Sequence, residues 1–115
     1  MESVTQSITI GGKQNSNSIK VDFSNLKKAA LILRAMNHKL RQQMIKLLDE
    51  NERMTVTEIY VKLRLEQSVA SQQLGILRRS GIVTTQRDGK FIYYGLSYRR
   101  IMEVTVLVDD LADLK

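Results

Sequence analysis

At Gly81 the apolar residues change their spacing, and that change limits the architectures open to this chain more than any other feature. On its N-terminal side, in EQSVASQQLGILRRSG (66–81), Ala70, Leu74 and Leu77 form one stripe at helical period. Ser68, Gln72, Gly75 and Arg79 fall nearly opposite that stripe, with Ser71 and Arg78 on the flank. On its C-terminal side IVTTQR and KFIYYGLS alternate with a period of two around Asp88-Gly89, a dipeptide suited to the positive backbone angles of a tight turn. A helix with one apolar and one polar face therefore runs, through a glycine suited to a left-handed cap, into a β-hairpin. Val83, Ile92, Tyr94 and Leu96 are available for the inner face of that hairpin, and Arg87 and Lys90 for its tip.

The segments before and after complete a mainly helical pattern. SNLKKAALILRAM places Leu26, Ala29, Ala30, Leu33 and Met36 at helical spacing, and Leu31 and Ile32 widen the apolar surface beyond one stripe. In so small a domain, a helix with two apolar faces implies a second subunit. Asn37 is placed to cap the next helix, HKLRQQMIKLLDE, with Leu40, Met44, Leu47 and Leu48 inward and Asn51 as a stop. Thr55 or Thr57 can start a short third helix with Ile59 and Leu63 inward, and RLEQ makes the turn into the polar-faced fourth. YRRIMEVTVLVDDLADL reads as a closing helix despite its β-branched run, with Ile101, Val104, Val108 and Leu111 forming more apolar surface than a surface helix needs. Residues 1–22, rich in Gly, Ser, Asn and Gln around GGKQNSNS, read as a flexible arm; residues 23–115 read as one domain.

Charge and composition narrow the function. The net charge is +6, and residues 62–100 alone carry eight Lys or Arg (Lys62, Arg64, Arg78, Arg79, Arg87, Lys90, Arg99, Arg100) against Glu66 and Asp88. The last fifteen residues have the opposite balance, so the basic surface is local and a polyanion is its natural partner. With no Cys and one His, disulfides, thiolate metal sites and thiol nucleophiles are excluded. Neither a bilayer-spanning run nor a secretory signal is recognisable, which leads to the expectation of a soluble, cytoplasmic protein. No activated nucleophile, paired carboxylates or phosphate loop can be assembled, GGK at Gly11–Lys13 lacking the flanking glycines, so an enzyme is not expected.

The order helix, helix, short helix, turn, polar-faced helix, basic hairpin, helix is that of a winged helix-turn-helix, whose second motif helix enters the major groove of double-stranded DNA. Gln and Ser can reach base edges or phosphates, and Arg78 and Arg79 can neutralise phosphate or pair with guanine. Gly75 leaves room for close backbone approach, and Arg87 and Lys90 at the tip can grip the sugar-phosphate backbone or a minor groove. At NHKLRQQMIKLL, EQSVASQQLGILRRSGIV and TTQRDGKFIYYGLS the chain resembles the ArsR-type bacterial repressors over about Leu26 to Leu114. The resemblance implies DNA contacts at Gln67, Ser68, Ser71 and Gln72, and a homodimer built by the first and last helices. Its dimerisation residues here are Leu26, Ala29, Ala30, Leu33, Ile101, Val104, Val108 and Leu111.

Departures from the family pattern also carry information. Many members have Gly in the turn where this chain has Leu63-Arg64-Leu65, so a left-handed Arg64 would cost on the order of 1 kcal/mol. Gln72 stands where His is frequent. Metal-sensing members carry Cys in the third helix or Asp and His in the last; here Thr55, Thr57 and Glu58 occupy the former and no His the latter, so no metal and no cofactor is expected. Blander readings stand beside these: a solvated face for Ser68, Gln72 and Arg79, a surface or capping role for His38, and an acidic solvated face for Asp109, Asp110 and Asp113. For Phe91, Tyr93 and Tyr94 the plainer reading is cross-strand packing. The main expectation is a homodimeric repressor without a recognisable metal site, open to an effector that no residue identifies. The rivals are a protein-interaction module and a nonspecific nucleic-acid-binding protein.

Overall fold

The computed structural model describes residues 6–11 and 18–113. The chain divides into two compact units, residues 1–31 and 32–115, with helix α1 (Phe23–Met36) crossing the boundary.

In the first unit, β1 (Ser7–Ile10) pairs antiparallel with β2 (Ile19–Asp22). The sequence reads as a flexible arm over residues 1–22, of which residues 7–10 and 19–22 are these two strands. Each strand is only four residues long, and the Gly- and Asn-rich stretch between them, whose residues 12–17 lie outside the described residues, masks their alternation. The register sets Ile8 opposite Val21 and Ile10 opposite Ile19 on one face, and Ser7 opposite Asp22 and Thr9 opposite Lys20 on the other. The three isoleucines are exposed. The ribbon runs straight into α1. Asp22 Oδ1 accepts the Ser24 and Asn25 N–H groups at 2.9 and 3.1 Å, satisfying donors that the first helical turn leaves open. The Phe23 N–H donates to the Gln6 carbonyl.

The second unit holds α2 (Lys39–Asn51), β3 (Arg53–Thr55), α3 (Val56–Leu63), α4 (Gln67–Arg79), β4 (Val83–Asp88), β5 (Phe91–Leu96) and α5 (Tyr98–Ala112). The three strands form an antiparallel sheet in the order β3-β5-β4. The short strand β3 has no counterpart in the sequence reading. It adds Arg53, Met54 and Thr55 opposite Gly95, Tyr94 and Tyr93, and thereby ties the hairpin to the start of α3. Met44, Leu47 and Leu48 of α2, Ile59 of α3, and Ala70, Leu74 and Leu77 of α4 are buried together with Met54, Ile82 and Val83. The stripe that the 3.6 period singled out in α4 is thus the one facing the core.

Helix ends show how the sequence sets the corners. His38, not Asn37, occupies the N-cap position of α2, in extended conformation and without a side-chain cap; its carbonyl accepts the Gln42 N–H at 2.9 Å. Two donors in the first turn of α2 serve the C-terminal end of α1 instead: Gln42, whose Nε2 donates to the Met36 carbonyl, and above all Arg41. Arg41 is 7% exposed, the buried charged side chain among the described residues. Its Nε donates to the Ala35 carbonyl (2.6 Å) and one Nη to the Arg34 carbonyl (3.1 Å), at the end of α1. The other Nη donates to Gln73 Oε1 on α4 (2.7 Å). At the far end of α2, Asn51 is the last helical residue and its Nδ2 donates to the Leu47 carbonyl; the positive φ of 67° falls on Glu52.

Helix α5 forms over the β-branched run because Ser97 caps it, accepting the Arg100 N–H on Oγ, and because Val104 is buried and Ile101 packs on the core. Tertiary burial outweighs a weak local preference there. Tyr98, in the first turn of α5, donates its hydroxyl to Asp49 Oδ1 on α2 at 2.6 Å.

Candidate nucleic-acid interface

The interface is built from α3, the turn after it, α4 and the hairpin. Thr55 starts α3 with a reciprocal capping box: its Oγ1 accepts the Glu58 N–H at 3.2 Å, and Glu58 Oε1 accepts the Thr55 N–H at 2.8 Å. Arg64 ends it in the left-handed region (φ 57°, ψ 48°). With Arg64 so placed, the Leu65 N–H reaches the Tyr60 carbonyl (2.9 Å) and the Arg64 N–H the Val61 carbonyl, the paired bonds of a Schellman end. Three residues later α4 begins.

On α4 the side chains at Gln67, Ser68, Ser71 and Gln72 are exposed, as are Arg78 and Arg79 in the last turn. Gly75 lies on this side, and its bare backbone is already occupied: a Cβ there would meet an Arg79 Nη at 3.3 Å, so the guanidinium folds back along the helix over the glycine. Helix α4 ends as its sequence suggests. Gly81 takes φ 79°, with Gly81 and Ile82 N–H groups returning to the Arg78 and Leu77 carbonyls at 3.0 Å. The N-cap position, Glu66, makes no side-chain cap, so no side chain covers the first-turn N–H groups of α4 in that way.

The hairpin turn sits one residue later than its dipeptide suggested. Asp88 still pairs with Phe91, so the two turn residues are Gly89, with φ 65°, and Lys90; Arg87 lies one pair back, opposite Ile92. A positive φ at the first turn residue alone is the primed-turn pattern that Gly followed by another residue favours. Along the hairpin Val83 and Leu96 are paired at the base, Thr85 and Tyr94 next, and Arg87 and Ile92 outermost. Ile92 therefore shares the inner side with Tyr94 but is exposed, because the ribbon overhangs the core at that point; its assignment to the packed face is corrected. Arg53 braces the overhang. Its guanidinium lies 4.1 Å from the Tyr93 ring centroid and its Nη2 3.2 Å from Asp88 Oδ2.

Ion pairing sorts the basic residues. Arg99 and Arg100 face Glu103, and Arg53 faces Asp88. Among the described residues no salt bridge engages Arg78, Arg79, Arg87 or Lys90. These four, with the exposed polar row of α4, are the residues nominated for DNA; the brace by Arg53 and the anchoring of Gln73 by Arg41 were not.

The dimerisation set divides. Leu26 and Leu111 are exposed, Val108 is 39% exposed, and Ala30 is exposed; Ala29 and Leu33 are half-buried. Val104 is buried within the chain and Ile101 packs on its own core, so neither offers the free surface that the sequence reading gave it. The residues that α5 does expose include Met102, Val106 and Leu107, which helical spacing alone did not select. Leu33 and Val108 line one open groove with Met36, Val104 and Thr105.

The third-helix positions that hold thiolates in metal-sensing proteins do not fit a thiolate-bound metal here. Thr55 and Glu58 are hard-oxygen side chains already joined in the capping box, with no soft donor beside them.

A short helix, a tight turn, a second helix with a polar exposed row, and a two-stranded ribbon carrying Arg87 and Lys90 define a winged helix-turn-helix DNA-binding protein. Comparison with known proteins bears on the family. The model of the family described as "bacterial regulatory protein, arsR family" matches residues 38–85. An HTH-type transcriptional regulator of Methanocaldococcus jannaschii is 37% identical over 84 residues, 73% of this chain and 94% of that protein. The transcriptional activator HlyU of Vibrio cholerae is 36% identical over 84 residues, 73% of this chain and 77% of that protein. The solution structure of a homodimeric winged helix-turn-helix DNA-binding domain from Mycobacterium bovis superposes with a TM-score of 0.64 at 26% identity, covering 78% of this chain and 82% of that one. The chain belongs to the ArsR family of regulators, and it is a DNA-binding transcriptional regulator. That family is not a class of enzymes. Among the described residues no helix is long and apolar enough to cross a membrane.

Proposed function

We propose that this regulator works as a homodimer on a two-fold operator in the cytoplasm, each α4 reading one half-site in the major groove and each hairpin gripping the flanking backbone. The observation that carries this reading is the row Gln67, Ser68, Ser71 and Gln72, exposed on the helix that follows the turn and flanked by cations that join no salt bridge among the described residues. Ser71 and Gln72 address base edges; Gln67 and Ser68, in the first turn, meet phosphate together with the N–H groups at that helix end. Arg78, Arg79, Arg87 and Lys90 supply the salt-dependent part of the affinity. The exposed apolar residues of α1 and α5, Leu26, Leu31, Met102, Val106, Leu107, Val108 and Leu111, support the dimer, since a monomer would leave them in water. The M. bovis domain, described as homodimeric, supports it as well. Bound across a promoter, such a dimer excludes polymerase and represses, the role for which the biofilm growth-associated repressor of Agrobacterium fabrum, a relative 40% identical over 68 residues, is named.

The test is fluorescence-anisotropy titration against genomic fragments at several salt concentrations. Ser71→Ala and Gln72→Ala relax discrimination between sites, whereas Arg87→Ala and Lys90→Ala weaken all duplexes alike and each reduce the salt slope by about 1. Uniform, equal losses from all four would refute this division of roles, and a wild-type protein without sequence preference would refute the operator.

A further inference from the structure

We propose that Arg41, which makes no contact with DNA in this reading, is the positioning residue that sets the recognition helix α4 against the end of α1, and that sequence discrimination depends on it. The inference rests on the assignment of α4 as the reading helix.

Arg41 is a buried guanidinium whose hydrogen-bond partners among the described residues are all neutral: two main-chain carbonyls at the end of α1 and the side-chain oxygen of Gln73. Taking a full charge out of water without a carboxylate partner is expensive, and an apolar side chain of similar size would pack there at less cost. The negative end of the α1 dipole offsets part of that cost: the Arg34 and Ala35 carbonyls lie in its last turn, and the Arg34 carbonyl also receives the Asn37 N–H at 3.2 Å. What an apolar residue could not do is fix direction. A planar fork with donors on three nitrogens joins two elements at set angles, and a lysine at this position would have one point of attachment.

The position of Gln73 makes the link relevant to DNA. It follows Gln72 directly and is half-buried, between the core stripe of Ala70, Leu74 and Leu77 and the exposed row. Apolar packing along that stripe is tolerant of small rotations and slides of the helix, since contacts between aliphatic side chains have little directional preference. The 2.7 Å bond from Arg41 to Gln73 Oε1 removes that freedom. A change of a few degrees about the α4 axis moves Ser71 and Gln72 relative to the base edges without breaking any core contact. Through the same guanidinium, α4 is referenced to the last turn of α1.

The experiment uses the full-length protein and compares Gln73→Leu, Gln73→Glu, Arg41→Lys and the Gln73→Leu/Arg41→Lys double variant. It reads the ratio of operator to nonspecific affinity, the salt slope, and a profile of every single base-pair change in the half-site. Gln73→Leu lowers the ratio about tenfold, with discrimination reduced across the half-site and the salt slope unchanged. Gln73→Glu, which keeps an acceptor for Arg41, retains the ratio. Arg41→Lys lowers it as Gln73→Leu does, and the double variant is no worse than either single one. Should Arg41→Lys fail to fold, the Gln73 pair carries the test alone. The inference is overturned if the ratio is unchanged in Gln73→Leu, if its loss is confined to one base pair as for a direct contact, or if the slope falls by about 1. Losses that multiply in the double variant also overturn it. A wild-type protein that prefers no operator overturns this inference and the reading beneath it together, whereas discriminating wild type with equally discriminating variants overturns this one only.

Discussion

Replacing Arg64 by glycine is expected to stabilise the protein. Arg64 sits at φ 57°, ψ 48°, where the Cβ of an L-residue crowds the following carbonyl at a cost of roughly 1–2 kcal/mol. Glycine does not incur that strain but loses more backbone freedom on folding, about 0.5–1 kcal/mol. At their central values the two terms leave a net gain of about 0.7 kcal/mol, provided that the Leu65 N–H still bonds the Tyr60 carbonyl and the residue 64 N–H the Val61 carbonyl. Because the Arg64 side chain is exposed and joins no salt bridge among the described residues, little else is removed. In a domain of this size, that corresponds to a rise of about 2–6 °C in Tm. Thermal unfolding followed by circular dichroism measures it, with Arg64→Ala as the control that removes the charge and the long side chain but keeps a Cβ in the same conformation. Arg64→Gly melting clearly above Arg64→Ala supports the strain; equal melting temperatures, or a drop in Arg64→Gly, would refute the reasoning.

Three more outcomes follow from named contacts. Gly75→Ala adds a Cβ in the middle of α4 that meets only the mobile end of Arg79, so it should stabilise by about 0.5–1 kcal/mol in denaturant titration while weakening operator binding; a destabilised variant contradicts this. Gly95→Ala should destabilise by about 1–3 kcal/mol, because the new Cβ lies 3.3 Å from the main-chain oxygen of Glu52, which cannot swing aside. An unchanged melting temperature would show that the β3–β5 junction yields easily. The hydrogen bond to Asp49, with smaller contributions from burial and from the charges of Asp49 and Glu52, holds the Tyr98 phenol above its ordinary value of 10.0. A raised folded-state pKa means that the stabilisation is present below pH 10 and fades as pH rises through the raised value, so Tyr98→Phe should be less stable than wild type below pH 10, with the difference shrinking on the alkaline side. Ultraviolet titration of wild type against Tyr98→Phe checks this, and an unshifted phenol would refute it.

The parts of the fold written in short-range patterns were legible. Leu74 and Leu77 at helical spacing, Gly81 after the last turn, and the alternation on either side of Asp88-Gly89 each reflect a local backbone preference, and each element formed. The polar row of α4 was readable for the same reason: it is what remains once the core stripe has been assigned. What escaped was short or nonlocal. Arg53-Met54-Thr55 is too brief to show a period, and its strand exists only because β5 lies beside it. Arg41 falls on an apolar face between Leu40 and Met44, where a charged residue in sequence suggests solvent; its partners are six, seven and thirty-two positions away. Val104 was assigned to a partner because α5 had more apolar residues than one face requires, and spacing alone does not say which of two faces turns inward. Ile92 has the right parity for the core yet lies beyond its edge, a matter of how far the ribbon extends rather than of pattern.

The N-terminal ribbon raises a question of alignment that its two faces do not answer. A slip of one residue between β1 and β2 would turn isoleucines against polar side chains and is disfavoured, but a slip of two would keep Ile and Val on one side and Ser, Thr, Lys and Asp on the other. Side-chain sorting is blind to that second error. The observed alignment is chosen at its far end, where Asp22 is held by the first turn of α1 and the Gln6 carbonyl receives the N–H of the residue that opens the helix. The helix thus acts as a ruler for the strands that precede it, and shortening the Asp22 side chain's reach should let the ribbon shift without melting.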